Sequence, residues 1–320
     1  MEQQHPTSGI HVVAGAGPLG RHVVDELVRR GLPVRVVTRS GGGVAHPGVE
    51  RVRADVTNVD EARGACAGAA VVYGCAQPGY AHWVDQFPPI QRGLLEGAAA
   101  AGAVFVAAEN LYLYAPGQAV LTEDLPYEPT TRKGAVRAAM AREVLDAHTS
   151  GRVRTTAGRA SDFYGPLVEG SAVGDRFFPR IVAGKSVSMV GDLDAPHTYT
   201  YIGDFARALV VLGTDERAWG QGWHVPSAPT LTTRQLAELA YRVAGTSGKV
   251  KHLPAISLRA AGLFVPEAKE TVEMLYEFDE PFVMSHERFA ATYGDLHTPH
   301  EEALAATIAW YRQRARSKAA

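Results

Sequence analysis

The sequence predicts an α/β fold in which a doubly wound parallel sheet carries helices on both faces. Short apolar runs alternate with amphipathic helical patterns through the first two thirds of the chain. This alternation is typical of parallel strands joined by right-handed crossovers. A glycine-rich turn follows the first apolar run directly and precedes the first helical pattern. The 320 residues are enough for one large domain and a smaller lobe.

The apolar periodicity places each element of the sheet domain. Strands are predicted at 10–14, 34–37, 49–53, 70–74, 103–107 and 153–158. Helices are predicted between them at 18–30, 58–66, 83–101 and 133–148. Thr57 or Asn58 is suited to cap the second helix, because both side chains can accept backbone N–H groups.

The second half of the chain has a different character. Residues 161–202 are rich in glycine, proline and aromatic residues and are expected to fold over the carboxyl edge of the sheet. Thr230–Thr233 open an amphipathic helix, and further helices are predicted at 267–278 and 300–315. We therefore predict a Rossmann domain over 1–225, with 161–202 contributing to the substrate cleft. A small, mostly helical substrate lobe is predicted over 226–320.

Composition excludes several classes of partner. Apolar residues make up 46% and charged residues 21% of the chain, which is ordinary for a soluble globular protein. The net charge of -2 does not favour nucleic acid or an anionic membrane as a partner. The two cysteines form no CxxC pair, so we expect no metal site and a reducing cytoplasm. No signal-peptide pattern begins the chain, and the longest apolar stretch is too short to span a bilayer. A homodimer is left open.

The glycine-rich turn predicts a dinucleotide-binding site. Gly15, Gly17 and Gly20 form a GxGxxG pattern between a strand and a helix, which is the context that this fingerprint requires. Gly15 would permit the tight turn, Gly17 the approach of a pyrophosphate, and Gly20 close packing of the helix. Pro18 and Leu19 complete the loop, and the pyrophosphate would lie at the positive end of the helix.

The end of the second strand favours NADP over NAD. An NAD site usually places Asp or Glu here to bind the ribose 2′-hydroxyl, whereas an Arg accommodates the 2′-phosphate of NADP. This sequence has Thr38-Arg39-Ser40, with no acidic residue before Glu50. Arg39 could pair with the phosphate through its planar guanidinium, and the two flanking hydroxyls could donate further hydrogen bonds.

Several motifs in order resemble the extended and atypical short-chain dehydrogenase/reductase superfamily, in its NAD-dependent epimerase/dehydratase group. The matching segments are Ala14–Gly20, Ala54–Val56, Val71–Gln77, Arg159–Pro166 (similar to RPxNVYGP) and His197–Ala208 (similar to YVDDVARA). The resemblance implies a nicotinamide cofactor. It also implies that the following residues contact that cofactor: Asp55, Val56, Cys75, Ala76, Gln77, Ala160 and Phe163.

The chain departs from the family at the catalytic motif. The family uses a Tyr-x-x-x-Lys pair one helical turn apart, with Ser or Thr from a preceding strand end. Here the best alignment of that helix puts Lys133 and Arg137 on the motif, and residues 107–110 carry no hydroxyl. Tyr127 cannot replace the missing Tyr, because Pro129 precludes a regular helix after it.

Two interpretations of this departure remain. In the first, Lys133 carries the proton, as in the isoflavone-reductase-like members, and Arg137 binds the nicotinamide ribose. The chain is then an NADP(H)-dependent oxidoreductase, or an epimerase/dehydratase, that acts on a small carbonyl or hydroxyl compound. In the second, the chain binds NADP without catalysis, as in NmrA-like redox sensors. If Lys133 and Arg137 were only two solvated bases on a helix, neither role would apply.

The remaining candidates are side chains that could face a substrate: Tyr80, Trp83, Asn110, Tyr112, Phe178, His197 and Tyr199. Tyr112 and Tyr114 would share one side of their segment if it were extended, and either could donate a proton. Glu109 could act as a carboxylate base. His197 lies in a predicted loop, where it could titrate near neutral pH or simply be solvated.

Overall fold

A computed structural model of the chain describes residues 6–254, 256 and 272–319. Its centre is a seven-stranded sheet in which every neighbouring pair is parallel. The strands are β1 (Ile10–Ala14), β2 (Val34–Thr38), β3 (Val49–Arg53), β4 (Ala69–Gly74), β5 (Val104–Glu109), β6 (Arg154–Arg159) and Gly222–His224.

Helices cover the sheet between successive strands. They are α1 (Pro18–Arg29), α2 (Val59–Cys66), α3 (Trp83–Ala101), α4 (Arg132–Thr149) and a helix at Ile202–Thr214. All six predicted strands and four predicted helices are present within two residues of their predicted bounds. The seventh strand was not predicted, because its three residues are too short to show a period. Asn58 caps α2 by accepting the N–H groups of Asp60 and Glu61.

The sheet order determines where a ligand can bind. From one edge, the strands run Gly222–His224, β6, β5, β4, β1, β2, β3. The chain therefore winds outward from β1 in one direction and from β4 in the other. In doubly wound sheets, ligands bind at the carboxyl ends of the strands where the order reverses. The glycine-rich turn after β1 lies at that point.

The chain divides into two compact units. The first comprises Met1–Tyr114, Tyr127–Arg159 and Phe205–Val225. The second comprises Ala115–Pro126, Ala160–Asp204 and Pro226–Ala320. The last segment of the first unit ends at Val225. Residues 160–204 pack within the second unit, where aromatic side chains such as Tyr164 and Tyr199 belong to its core.

The second unit combines short strand pairs with helices. In the part of the unit that the structure describes, the helices are Phe178–Val182, Thr233–Ala244, Tyr276–Asp279, Glu287–Tyr293 and His300–Ala319. Phe163–Tyr164 pairs with Thr200–Tyr201, Leu231–Thr232 with Pro196–His197, and Val250–Leu253 with Val187–Val190. Thr232 and Gln235 form a capping box, so the predicted helix start is confirmed. Of the predicted helix at 267–278, residues 267–271 lie outside the described residues.

Each unit has its own apolar core. In the first, Val12, Val72 and Phe105 of the sheet pack against Leu94 and Val144 of the helices. In the second, a set of buried aromatic rings packs on the Thr233–Ala244 and His300–Ala319 helices. None of the helices in the described residues is long and apolar enough to cross a membrane.

Candidate active site

The turn after β1 depends on two glycines that hold it against its neighbours. Gly15 has φ +101°, and a Cβ there would lie 2.8 Å from the backbone of Ala76 after β4. A Cβ on Gly20 would lie 2.0 Å from the Gly15 carbonyl oxygen. Any side chain at either position would therefore force the turn away from β4 or from α1.

Gly17, unlike Gly15 and Gly20, has open space where a side chain would lie. A Cβ built on Gly17 meets nothing within 4 Å in the described part of the chain, and its backbone is extended. No described side chain caps α1, and Pro18 fills its first position. The N–H groups of the first turn and the helix dipole are thus available to an anion. Arg21, whose Nε donates to the Ala16 carbonyl at 3.1 Å, adds a positive charge that the motif did not indicate.

Gly17→Val should separate binding from folding. Because the space beside Gly17 is open, valine should leave the fold intact while its branched side chain obstructs a pyrophosphate. Dinucleotide affinity should fall by at least about tenfold, which corresponds to about 1.4 kcal/mol. Fluorescence titration with NADP and NAD measures this loss, and circular dichroism measures the fold. Gly20→Val is the matched control, since it should unfold the turn itself. Normal binding by Gly17→Val would show that the loop is misassigned.

The turn after β2 contains the residues predicted to choose the cofactor. Arg39 and Ser40 are exposed, whereas Thr38 is half-buried. The Thr38 hydroxyl donates to the Gly42 carbonyl at 2.7 Å, and the Ser40 hydroxyl accepts the Gly42 N–H at 3.2 Å. The Thr38 hydroxyl therefore stabilises the turn rather than pointing to a ligand as we expected. Ser40 retains its own hydrogen as a donor.

The acidic turn after β3 lies close to Arg39. The backbone N–H and hydroxyl of Thr57 donate to Asp55 and hold the pKa of its carboxyl below the usual value. The charge of Arg39 lowers this pKa further. The neighbouring Val56 is buried. Asp55 thus stays a carboxylate beside a guanidinium, on the side of the sheet where the adenine end of a dinucleotide would lie.

The segment after β4 continues this edge of the sheet. The Cys75 N–H donates to the Ala14 carbonyl at 3.0 Å, which holds the ends of β1 and β4 together. Ala76 is the residue that the Gly15 turn approaches most closely. Gln77 is exposed. Cys75 and Ala76 therefore lie beside the glycine-rich turn.

Lys133 and Arg137 lie one turn apart on the buried face of α4. Lys133 is 1% exposed and Arg137 is 3% exposed, so neither is a solvated surface base. Thr131 caps the helix by accepting the Gly134 N–H at 3.0 Å. A Cβ on Gly134 would lie 2.5 Å from the Tyr112 carbonyl oxygen. The start of α4 therefore packs tightly on the segment after β5.

Aromatic rings surround both cations. Lys133 Nζ lies 4.5 Å from the centroid of the Tyr80 ring, and the Arg137 guanidinium lies 4.7 Å from that of Phe87. Trp83 packs on Phe87 and on Tyr112. Such rings stabilise a desolvated cation through their negative faces. Three of the predicted substrate residues, Tyr80, Trp83 and Tyr112, are thus brought together with Lys133.

Arg137 is only partly hydrogen-bonded. One terminal nitrogen donates to the Ala108 carbonyl at 3.1 Å, and the other lies 3.9 Å from the Met140 sulfur. Its Nε is buried and has no acceptor among the described residues. Burial also lowers the pKa of Arg137. A buried donor without an acceptor is rare, so this nitrogen is suited to a ligand oxygen.

Tyr112 and Tyr114 lie in a turn rather than an extended segment, so the condition for sharing one side is not met. Asn110 accepts the Tyr112 N–H on its side-chain oxygen, and the Tyr114 N–H donates to the Leu111 carbonyl. These bonds turn the chain directly after β5. Tyr112 remains near Tyr80, with 3.4 Å between their hydroxyls. The Tyr114 side chain is buried against Arg159 and His224 instead.

Tyr114 belongs to a buried polar network around Arg159 that the sequence analysis did not identify. Arg159 donates to Glu109 at 2.9 Å, to the Tyr114 hydroxyl at 2.9 Å, and to the Tyr127 hydroxyl. Tyr114 also bonds His224 at 2.9 Å. Burial acts to lower the pKa of Arg159, but the charge and hydrogen bond of Glu109, together with Tyr114 and Tyr127, raise that pKa above its usual value. Glu109 is therefore held in an ion pair with Arg159 rather than placed as a free carboxylate base. Its other oxygen, Oε1, is buried with no partner in the described residues.

The other predicted site residues lie in the second unit. Ala160 is buried and Phe163 is partly exposed. Phe178 is fully buried between Tyr164 and Tyr311, so it is a core residue without a surface for substrate. Tyr199 is also buried, and its hydroxyl lies 2.8 Å from that of Thr233.

His197 is buried rather than solvated. Its Nδ1 lies 3.1 Å from the Glu277 carbonyl oxygen and its Nε2 lies 3.0 Å from the Asp162 carboxylate. The ring stacks on Phe278 at 5.5 Å. Burial and the nearby Asp162 raise the pKa of the Glu277 carboxyl well above its usual value. Sequence alone could not show this arrangement, because Glu277 is distant in the chain.

Comparison with solved structures shows the same architecture in sugar-nucleotide enzymes. The chain resembles dTDP-glucose 4,6-dehydratase (DesIV) of Streptomyces venezuelae, solved with NAD and TYD bound, with 18% identity and a TM-score of 0.77 over 96% of this chain and 98% of that chain. It resembles UDP-glucose 4-epimerase of Thermotoga maritima, solved with UDP-glucose, with 18% identity and a TM-score of 0.78. The match covers 96% of this chain and 99% of that chain. UDP-glucose 4-epimerase of Thermus thermophilus, in complex with NAD, matches with 21% identity and a TM-score of 0.72. The match covers 95% of this chain and 99% of that chain.

No protein of curated function matches the chain by sequence. The family comparison is decisive instead. Residues 10–224, which contain all seven strands of the parallel sheet, match the NAD dependent epimerase/dehydratase family. The glycine-rich turn and the doubly wound sheet are the features that such a match requires. The chain therefore belongs to the NAD-dependent epimerase/dehydratase family.

Proposed function

We propose that the protein is an NADP-dependent oxidoreductase, or an epimerase/dehydratase that uses the same cofactor, acting on a small carbonyl or hydroxyl compound. The observation that carries this proposal is the burial of Lys133 and Arg137 one helical turn apart on α4. Burying a cation costs desolvation free energy, and the buried Nε of Arg137 has no acceptor among the described residues. Their placement is understandable if they serve a bound ligand and a reaction.

The residues of the first unit fit a dinucleotide. Gly15 and Gly20 shape a turn that no side chain could enter, Gly17 leaves open space beside an uncapped helix, and Arg137 Nε lacks an acceptor. Gly17 and the first turn of α1 would hold the pyrophosphate, and Arg137 would hold a ribose oxygen. The cofactor, when bound, supplies or accepts a hydride.

Lys133 would hold and move the proton. Its Nζ is desolvated, and the ring of Tyr80 excludes water from one side. A lysine amine can give up and take back a proton in a reaction, whereas a guanidinium stays charged. Arg137 would therefore orient the ligand, while Lys133 exchanges a proton with a hydroxyl or carbonyl oxygen.

Sugar nucleotides are the first substrate class to assay, because UDP-glucose is bound in a structure that shares this fold. The test combines NADP titration with turnover assays over sugar nucleotides and small aldehydes, ketones and alcohols. Turnover of any member supports the enzyme. A protein that binds NADP but converts none of them would be a dinucleotide-binding sensor, which is the second candidate function.

Arg39→Ala should distinguish the two cofactors. If Arg39 pairs with the 2′-phosphate, its loss should weaken NADP binding by about 1.5–3 kcal/mol, the usual contribution of a charge-assisted hydrogen bond. NAD binding should be nearly unchanged, since NAD lacks this phosphate. Arg51→Ala removes the same charge from exposed strand β3 and serves as the control. Equal losses for NAD and NADP in Arg39→Ala would show that Arg39 does not recognise the phosphate.

A further inference from the structure

A group of three potential metal ligands lies in the second unit. His286 precedes the Glu287–Tyr293 helix as its N-cap residue, and Asp295 and His297 follow that helix. Gly294, with φ +85°, ends the helix directly before Asp295. One nitrogen of each imidazole and one carboxylate oxygen all lie within 4.8 Å of one another.

The Asp295 carboxylate lies close enough to both imidazoles to share one ion with them. Asp295 Oδ1 lies 2.7 Å from His297 Nδ1 and 3.4 Å from His286 Nε2. Ligands bound tetrahedrally to zinc at about 2.1 Å lie about 3.4 Å from one another. The separation from His286 already has this value. The separation from His297 would need to open by less than about 1 Å, which a side-chain rotation can supply.

The surrounding structure holds the ligands in place. Phe289 of the helix is fully buried and packs on Tyr293, so the helix is fixed to the unit. Thr298, next to His297, donates from its backbone N–H and its hydroxyl to the buried Asp204, at 2.7 and 2.6 Å. A site whose ligands lie on fixed segments loses little conformational entropy when it binds an ion.

The geometry points to a binding site for a divalent transition-metal ion, such as Zn²⁺, formed by His286, Asp295 and His297. Imidazole nitrogens favour zinc, cobalt and nickel, whereas Mg²⁺ and Ca²⁺ require sites made mostly of oxygen. Three protein ligands leave one position for water. The side chains are 21%, 48% and 27% exposed, so an ion can reach them from solvent. The bound ion would join the two ends of the helix and stabilise the second unit.

The three groups could instead form only a hydrogen-bonded cluster in which both imidazoles face one carboxylate. The two alternatives differ in metal binding. We would titrate the full-length, untagged protein, after chelator treatment, with Co²⁺ and then Zn²⁺. We expect one Co²⁺ per chain, with the visible absorption of a four- or five-coordinate ion, displaced by Zn²⁺ with a Kd on the order of 1–10 µM. Zn²⁺ should also raise the unfolding temperature.

Substitutions of the proposed ligands test where the ion binds. Asp295→Asn and His286→Gln should each weaken Co²⁺ binding by at least about tenfold. His46→Gln, at an exposed histidine of the first unit, should bind as the parent does. If a variant does not fold, Co²⁺ added to the parent should shift the ring signals of two of the twelve histidines by NMR. Absence of binding below about 100 µM, binding that survives both variants, or shifts confined to other histidines would overturn the assignment.

Discussion

Replacing Lys133 by methionine is expected to lower kcat by about 10²–10⁴-fold, the usual range for loss of general acid–base catalysis. Methionine fills a similar volume against Tyr80 but cannot carry a proton. The fold and the affinity for NADP should therefore be largely kept. Steady-state turnover of the best substrate, together with an NADP titration, measures both quantities.

Two matched variants separate loss of proton transfer from loss of cofactor binding. Arg137→Met should mainly weaken cofactor binding, because its guanidinium would hold a ribose oxygen rather than move a proton. Arg132→Met removes an exposed cation next to Lys133 and should change neither quantity. If Lys133→Met turns over at the parent rate, the proton carrier is another group, and Tyr112 is then the first to test.

Replacing Arg159 by methionine is expected to destabilise the protein by about 3–5 kcal/mol, because it leaves the Glu109 carboxylate buried and unpaired. The tyrosine hydroxyls of Tyr114 and Tyr127 would lose a donor as well. Urea unfolding followed by circular dichroism measures the free energy of unfolding.

The double variant Arg159→Met with Glu109→Leu tests the cause. Removing both charges should restore much of the stability, since apolar groups of similar size can replace a buried ion pair. A loss below about 1 kcal/mol in Arg159→Met, or a double variant less stable than Arg159→Met, would show that the ion pair does not dominate this region.

The sequence analysis predicted the sheet domain well because each of its elements has a strong local pattern. The apolar runs of β1 and β4 and the caps around α2 are readable within a dozen residues. The three-residue strand at Gly222–His224 has no such pattern. It forms only because β6 offers an open parallel edge.

The environment of the candidate site was less predictable, because it depends on contacts between distant segments. Lys133 and Arg137 could be aligned on the motif, but their burial comes from the rings of Tyr80 and Phe87, about fifty residues earlier. Arg159 could be read only as part of a motif. Its partner Glu109 lies on the neighbouring strand, and parallel pairing of β5 with β6 brings the two together.

His197 shows the same limit in the second unit. A histidine after Asp-Ala-Pro suggests a solvated loop, yet Phe278 and Glu277 cover it from a segment eighty residues later. Phe178 and Tyr199 were assigned to substrate on aromatic character alone, and both are buried in the core of that unit. Aromatic composition therefore indicated packing there as much as binding.

We propose that NADP and Lys133 together perform a reaction on a carbonyl or hydroxyl compound. The most direct measurement is the absorbance of reduced nicotinamide during a single turnover of the protein–cofactor complex with the best substrate. For the parent protein, this absorbance should change, transiently or permanently, and Lys133→Met should show the same change about 10²–10⁴-fold more slowly. An absorbance that stays constant with every sugar nucleotide and carbonyl compound, while NADP is bound, would contradict the claim.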